Sequence, residues 1–167
     1  MQKDGKLLII HDLNENEVEF PQNAEVVADN GKIKKCVGCF GCWVKSPGKC
    51  VIKDGYENMG AKLGAADRLV VISRCVFGSY SPFVKNVFDR SISYVLPYFE
   101  MRNGEMHHSL RYENKLRICA YFYGEGLTDA EKQTAEKIVR ANAVNYNGEV
   151  EKVVFVNSIS ELEDVVV

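Results

Sequence analysis

No stretch of this chain approaches the roughly eighteen apolar residues that a membrane-spanning helix requires. An excess of one charge is missing too: 21 Lys and Arg stand against 23 Asp and Glu, a net of −2. Neither nucleic acid nor a membrane is therefore an expected partner. The opening residues, Met1-Gln2-Lys3-Asp4-Gly5, lack the charged region, apolar region and cleavage site of a secretory signal. The expected location is cytoplasmic, where thiols stay reduced. There is no internal repeat and no low-complexity linker. No Ser-His-Asp set, paired-carboxylate arrangement, P-loop or nucleic-acid motif is found, which argues against hydrolytic and nucleotide-triphosphate chemistry. At 167 residues the chain is expected to form one domain, 1–167.

What the chain does have is cysteine in one place. Four of its six cysteines, Cys36, Cys39, Cys42 and Cys50, fall within fifteen residues, interleaved with Gly38 and Gly41. The C-x2-C-x2-C spacing on a tight loop can point three sulfurs at one centre, and the fourth can close the set. A cuboidal [4Fe-4S] cluster uses such ligands. Zinc fits less well, because its sites commonly pair two separated knuckles. Reduced thiols kept for loop packing are the remaining reading. Lys45, Lys49 and Lys53 lie close enough in sequence to favour thiolates.

Short apolar runs at 6–10, 68–73, 116–123 and 151–156 read as buried parallel strands, with a weaker candidate at 24–27. Helical patterns lie between them. One covers 56–66 with Asp54 as a possible cap. A second opens at Ser81-Pro82, and a third opens at the capping box Thr128-Asp129-Ala130-Glu131. Ser158 and Glu161 suggest a last short helix. The alternation implies βαβ units and a parallel sheet. The first crossover is anomalous, since 13–21 leaves little room for a helix. Residues 96–114 read as a long irregular insertion or flap. Cys119, inside an apolar run, reads as a small core residue.

From Cys36 onward the chain resembles the NADPH-dependent FMN reductase and iron–sulfur flavoprotein branch of the flavodoxin-like superfamily. The resemblance is carried by the cysteine segment with Trp43, Pro47-Gly48-Lys49-Cys50-Val51-Ile52-Lys53-Asp54, Ser73 to Ser81, and Lys85-Asn86-Val87-Phe88-Asp89-Arg90. It covers roughly residues 30 to 157. It implies a flavodoxin-like α/β three-layer sandwich with a five-stranded parallel sheet of order 2-1-3-4-5. It also implies FMN as cofactor, reduced nicotinamide (NAD(P)H) as a donor and a small molecule as electron acceptor. The loops expected to embrace the flavin are Ser73, Arg74, Cys75, Val76, Phe77 and Gly78, and Tyr123, Gly124, Glu125 and Gly126. Ligands of open α/β sheets bind at that strand edge.

Two departures matter. The family's phosphate loop follows the first strand, and here that place reads His11-Asp12-Leu13-Asn14-Glu15-Asn16-Glu17. Without Gly, Ser or Thr, and with three carboxylates, it is expected to hold a phosphate poorly. The other departure is Ser73-Arg74-Cys75-Val76, which places a cation and an oxidisable sulfur where relatives have a Ser-Pro-Val-Tyr run. Tyr94, Tyr98, Phe99, Tyr112, Tyr121 and Tyr123 could stack on a ring, although most read as core. His107, His108 and Arg111 read as a solvated turn or a subunit contact. The resemblance implies a homo-oligomer, dimer or tetramer, with the 96–114 segment at the contact. A competing expectation, from the acidic loop, is a non-catalytic partner subunit or a redox sensor based on thiols or an iron–sulfur cluster.

Overall fold

The computed structural model describes residues 5–14, 18–102 and 104–162. Its central sheet has the order β2-β1-β3-β6-β7 and is parallel throughout. The strands are β1 (Leu7–His11), β2 (Glu25–Val27), β3 (Arg68–Arg74), β6 (Arg117–Tyr123) and β7 (Glu149–Val156). This is the flavodoxin-like order expected from the sequence. The three central strands are nearly continuous apolar runs because both of their faces are covered.

One face is covered by helices. They are α2 (Met59–Ala65), α3 (Pro82–Arg90) and α4 (Asp129–Asn145), which bury Met59, Leu63, Val84, Val87, Ala135 and Val139 against Leu8, Leu69, Ile118 and Phe122. α3 begins as expected, with Pro82 in its first turn and the Ser81 hydroxyl accepting from the Val84 amide. α4 begins with the full capping box between Thr128 and Glu131. The other face buries Ile9, Val70, Ile72, Cys119 and Tyr121, and Leu13, Val18, Phe20, Ile159 and Leu162 pack on it. Residues 12–14 and 18–24 contain no helix, and Glu15, Asn16 and Glu17 lie outside the described residues. The suggested last helix is a 3-10 turn, Ile159–Leu162.

Three expectations are corrected. Residues 96–114 are not irregular: β4 (Val95–Arg102) and β5 (Glu105–Leu110) form an antiparallel hairpin outside the main sheet. Pro97, which usually argues against a strand, sits where the register shifts between Val95 and Phe99, and there it costs no ladder bond. Asp54 does not cap α2. Its carboxylate accepts from the Lys34 and Tyr56 amides and pairs with Arg90. The cysteine segment is not all loop, because Gly41–Val44 forms a single helical turn, α1. No helix among the described residues is long and apolar enough to cross a membrane.

Candidate functional site

Two sites take shape, one at the carboxyl edge of the sheet and one around the clustered cysteines. At the sheet edge the ends of β1, β3 and β6 are tied together by Asp12. Its carboxylate accepts the Arg74 amide at 3.0 and 3.2 Å and the Tyr123 hydroxyl at 3.1 Å. The Cys75 amide bonds the Tyr123 carbonyl, and the Gly124 amide bonds that of Val156. The chain thus brings together the strand-end positions proposed from the resemblance. His11 is buried against Phe20, with Nδ1 accepting the Leu13 amide.

Beyond Cys75 the chain makes a tight reversal. Val76 and Ser79 exchange both backbone hydrogen bonds, and Phe77 (φ 50°) and Gly78 (φ 71°) are both left-handed, as a type I′ turn demands. Gly78 is also required for space: a Cβ there would lie 2.9 Å from the Thr134 Cβ and 3.0 Å from the Glu131 carbonyl. The turn is therefore pinned to the first turn of α4 and holds Phe77 outward, 91% exposed. Ser73 points inward, and its hydroxyl accepts the Ser81 amide at 2.8 Å to start α3. Cys75 is buried, and burial pushes its thiol up, opposed by the Gly78 amide. Arg74, Glu125 and Gly126 are exposed, while Val76, Tyr123 and Gly124 are half-buried.

Among the described residues this edge offers no phosphate cradle. Among the described residues no first-crossover helix offers its amides to an anion. The capping box of α4 engages the Thr128 and Glu131 amides, and Asp129 and Glu131 put two carboxylates in the first turn. Asp12 adds a carboxylate at the strand ends. The other two carboxylates read from the sequence, Glu15 and Glu17, lie outside the described residues.

The second site is built on α1 and its flanks. Cys36, Cys39, Cys42 and Cys50 line one cavity of about 50 Å3, together with Ile52, Ile92 and Arg90. Gly38 (φ 64°) and Phe40 (φ 53°) turn the chain so that α1 can form. A Cβ on Gly41 would come within 2.8 Å of the Val51 side chain. Cys42 and Cys50 are buried, whereas Cys36 and Cys39 reach the surface. Burial pushes the Cys42 thiol up, and Cys50, Cys36 and Cys39 each push it further. Among the described residues, no three His, Cys, Asp or Glu side chains are placed to hold a single metal ion.

Arg90 was missed by the sequence reading as a site residue. Its side chain is 0% exposed and its partner Asp54 2%. The guanidinium bonds Asp54 at 2.7 and 2.9 Å and the carbonyls of Lys34 and Ile52 at 2.8 and 3.3 Å. It therefore clasps the chain on both sides of the cysteine segment. Cys50 lies beside the guanidinium, hydrogen-bonds it and favours its charged form, while the buried Nε makes no close hydrogen bond to N or O among the described residues. The Arg90 guanidinium thus supplies a fixed positive charge against the cysteine cavity.

The remaining candidates are dispersed. Cys119 is fully buried, as expected of a core residue, but its sulfur also lies 3.1 Å from Glu151 and 3.5 Å from Arg68. Tyr94 and Tyr121 are core, Tyr112 stacks on Tyr94, and Tyr98 and Phe99 are exposed on the hairpin. His107 pairs with Glu105, His108 stacks on Phe99 and leans on Trp43, and Arg111 bonds the Ser93 carbonyl. The single Trp43 donates its indole N–H to the Val95 carbonyl, joining the cysteine segment to the hairpin.

No protein-family profile matches the chain. In sequence it is similar to an iron-sulfur flavoprotein of Archaeoglobus fulgidus, 28% identical over 102 residues, covering 60% of this chain and 49% of that protein. It is also similar to an iron-sulfur flavoprotein of Methanosarcina thermophila, 30% identical over 78 residues, covering 47% and 40% respectively. The match thus spans half the length of these relatives or less. Among solved structures it is similar in fold to azoreductase AzrA, with a TM-score of 0.54 at 11% identity, covering 96% of this chain and 91% of that one. The resemblance to the flavodoxin-like branch of FMN reductases and iron–sulfur flavoproteins therefore holds in sequence and in fold.

Proposed function

We propose that this relative of the iron–sulfur flavoproteins is a flavin-dependent oxidoreductase with a second redox centre on Cys36, Cys39, Cys42 and Cys50. The observation that carries the reading is the small cavity ringed by all four cysteines, with the buried Arg90 guanidinium beside it. When bound, FMN supplies hydride and single-electron transfer and a [4Fe-4S] cluster supplies single-electron transfer. The chain's own residues bind and orient. Phe77 offers an exposed ring at the sheet edge, on a turn fixed by Gly78 against α4. Asp12 holds the ends of β1, β3 and β6 in register. Arg90 fixes both flanks of the cysteine segment. The reaction proposed is electron passage from NAD(P)H through the flavin to a small acceptor, in the reducing cytoplasm. The exposed hairpin residues Tyr98, Phe99, Met101 and Met106 support self-association as a dimer or tetramer.

The test is a visible absorption spectrum on anaerobically purified protein, with flavin and iron quantified on the same sample. Twin flavin bands together with a broad iron-dependent shoulder are expected, and Cys36→Ser with Cys39→Ser should abolish the shoulder and leave the bands. A second reading rests on the Asp12 carboxylate, which occupies donors at the edge where a phosphate would approach. Colourless protein with no affinity for added FMN would replace the enzyme with a non-catalytic partner subunit or a thiol-based sensor.

A further inference from the structure

The even charge balance of the chain hides a strong segregation. Residues 31–53 contain six lysines, Lys32, Lys34, Lys35, Lys45, Lys49 and Lys53, and no Asp or Glu, although the whole chain stands at −2. The rest of the molecule is therefore acidic. All six lysines are exposed. The lysine ion pairs among the described residues are made instead by Lys62, Lys85 and Lys115. Asp54, the next acid along the chain, is buried and already paired with Arg90. Exposed charges beyond a Debye length of about 8 Å at physiological salt are largely screened from one another. A partner touching this segment thus meets its lysines and not the net charge.

Apolar side chains stand among the lysines. Val37 is 73% exposed, Phe40 50% and Val44 79%. Built geometry holds them there. Gly38 and Phe40 are left-handed, Phe40 stacks on Trp43 at 5.2 Å between ring centres, and Trp43 is anchored to the Val95 carbonyl. The 50–54 stretch lies alongside. Val51, also exposed, packs on Gly41, and Arg90 ties the carbonyls of Lys34 and Ile52 together. The two lysine-bearing stretches are thereby joined into one surface, apolar at its tips and cationic around them.

The composition says which partner suits it. The segment has no arginine. Protein interfaces favour Arg, whose fork grips carboxylates, and are depleted in Lys. A single-stranded nucleic acid would need open ring faces to stack on, and Trp43 is enclosed between Phe40 and His108. Ammonium groups on flexible stems around protruding apolar side chains match a lipid boundary. There the ammonium groups meet anionic headgroups, and the apolar tips enter the acyl region.

We propose that residues 31–53 form a peripheral docking surface for an anionic phospholipid bilayer. The proposal does not rest on the oxidoreductase reading above. The experiment mixes the full chain with phosphatidylcholine vesicles, with and without phosphatidylglycerol, carrying a trace of dansyl-labelled lipid. Binding is read by co-sedimentation and by energy transfer from Trp43, the only tryptophan. Saturable binding with energy transfer is expected on phosphatidylglycerol vesicles, to be lost in high salt and absent on pure phosphatidylcholine. Lys45→Gln with Lys49→Gln should weaken it roughly tenfold or more. Val37→Ser with Val44→Ser should weaken it roughly threefold or more. All four side chains are exposed, so melting temperatures should stay at the wild-type value; the lysine pair decides the matter if the valine pair fails to fold. No binding to phosphatidylglycerol vesicles at low salt, equal binding to pure phosphatidylcholine, or folded variants that bind like the wild type would each overturn the proposal. An oligothymidylate held as tightly as the vesicles, with neither complex weakened by the valine substitutions, would also overturn it and assign the surface to nucleic acid.

Discussion

Removing the Arg90 guanidinium would leave Asp54 as a buried carboxylate with no countercharge. Arg90→Met should therefore cost about 3–5 kcal/mol of stability, measured by urea unfolding, and should loosen the cysteine segment at both flanks. The pair also gives the protein an acid dependence. Arg90, with the Lys34 and Tyr56 amides, holds the Asp54 carboxyl at about 2, against an ordinary 3.8. A depressed carboxyl stabilises the fold above its unfolded pKa, and that contribution drains away as pH falls through the folded one. About 2 kcal/mol should be lost between roughly pH 4 and pH 2. Asp54→Asn should lack this slope while already being less stable at neutral pH. Urea midpoints across that range decide it. Arg90 also shows what the sequence hides. Its Asp89-Arg90 neighbourhood belongs to a recognisable block, but only the fold brings it 36 positions back to Asp54, and no local spacing signals such a partner.

Turns and crossovers carry the next level of argument. The 76–79 reversal keeps a large aromatic residue both left-handed and exposed, a combination with an intrinsic cost of about 1 kcal/mol. Phe77→Gly should thus raise stability by about 0.5–1 kcal/mol in thermal unfolding while weakening flavin binding. Equal flavin affinity in that variant would show that the exposed ring serves something else. The first crossover makes a separate forecast. With no phosphate cradle among the described residues, riboflavin and FMN should bind within about threefold of each other, as equilibrium dialysis can show. A much tighter FMN complex would mean that the phosphate finds donors elsewhere. The sequence revealed the crossover through what 11–17 lacked, and it revealed α3 and α4 through Ser81-Pro82 and Thr128. It concealed the hairpin because Pro97 argues against a strand and His107-His108 breaks the apolar alternation. The Asn103-Gly104 pair was the available turn signal, and Gly104 has the left-handed φ of 83° that such turns use.

Across the whole molecule, the parallel sheet leaves its carboxyl edge open, while the cysteine cavity lies between α1, the 50–52 loop and the end of α3. The hairpin stands apart from both sheet faces and exposes Phe99, Met101 and Met106; by register, Phe99 faces His108 and Met101 faces Met106. Single apolar residues on a surface are ordinary, but a contiguous strip of this kind marks a contact. If it joins subunits, Phe99→Glu should shift sedimentation equilibrium to the monomer at micromolar concentration without lowering the melting temperature of the monomer. Wild-type protein that is already monomeric would remove the contact altogether. Strand order and the cysteine grouping were legible because they depend on local runs and spacing. The cavity that the cysteines ring was not, since Ile52, Arg90 and Ile92 come to it from beyond the cysteine segment.

Trp43 has one further consequence. Its indole N–H holds the Val95 carbonyl at the root of the hairpin, and its ring rests between Phe40 of the cysteine segment and His108 of β5. If the proposed centre on the cysteines and the proposed contact through the hairpin both form, they are two equilibria that meet at one side chain. Thermodynamic reciprocity requires that whatever factor loading imposes on subunit affinity, assembly returns to loading. A factor above one would make iron retention fall as the protein is diluted.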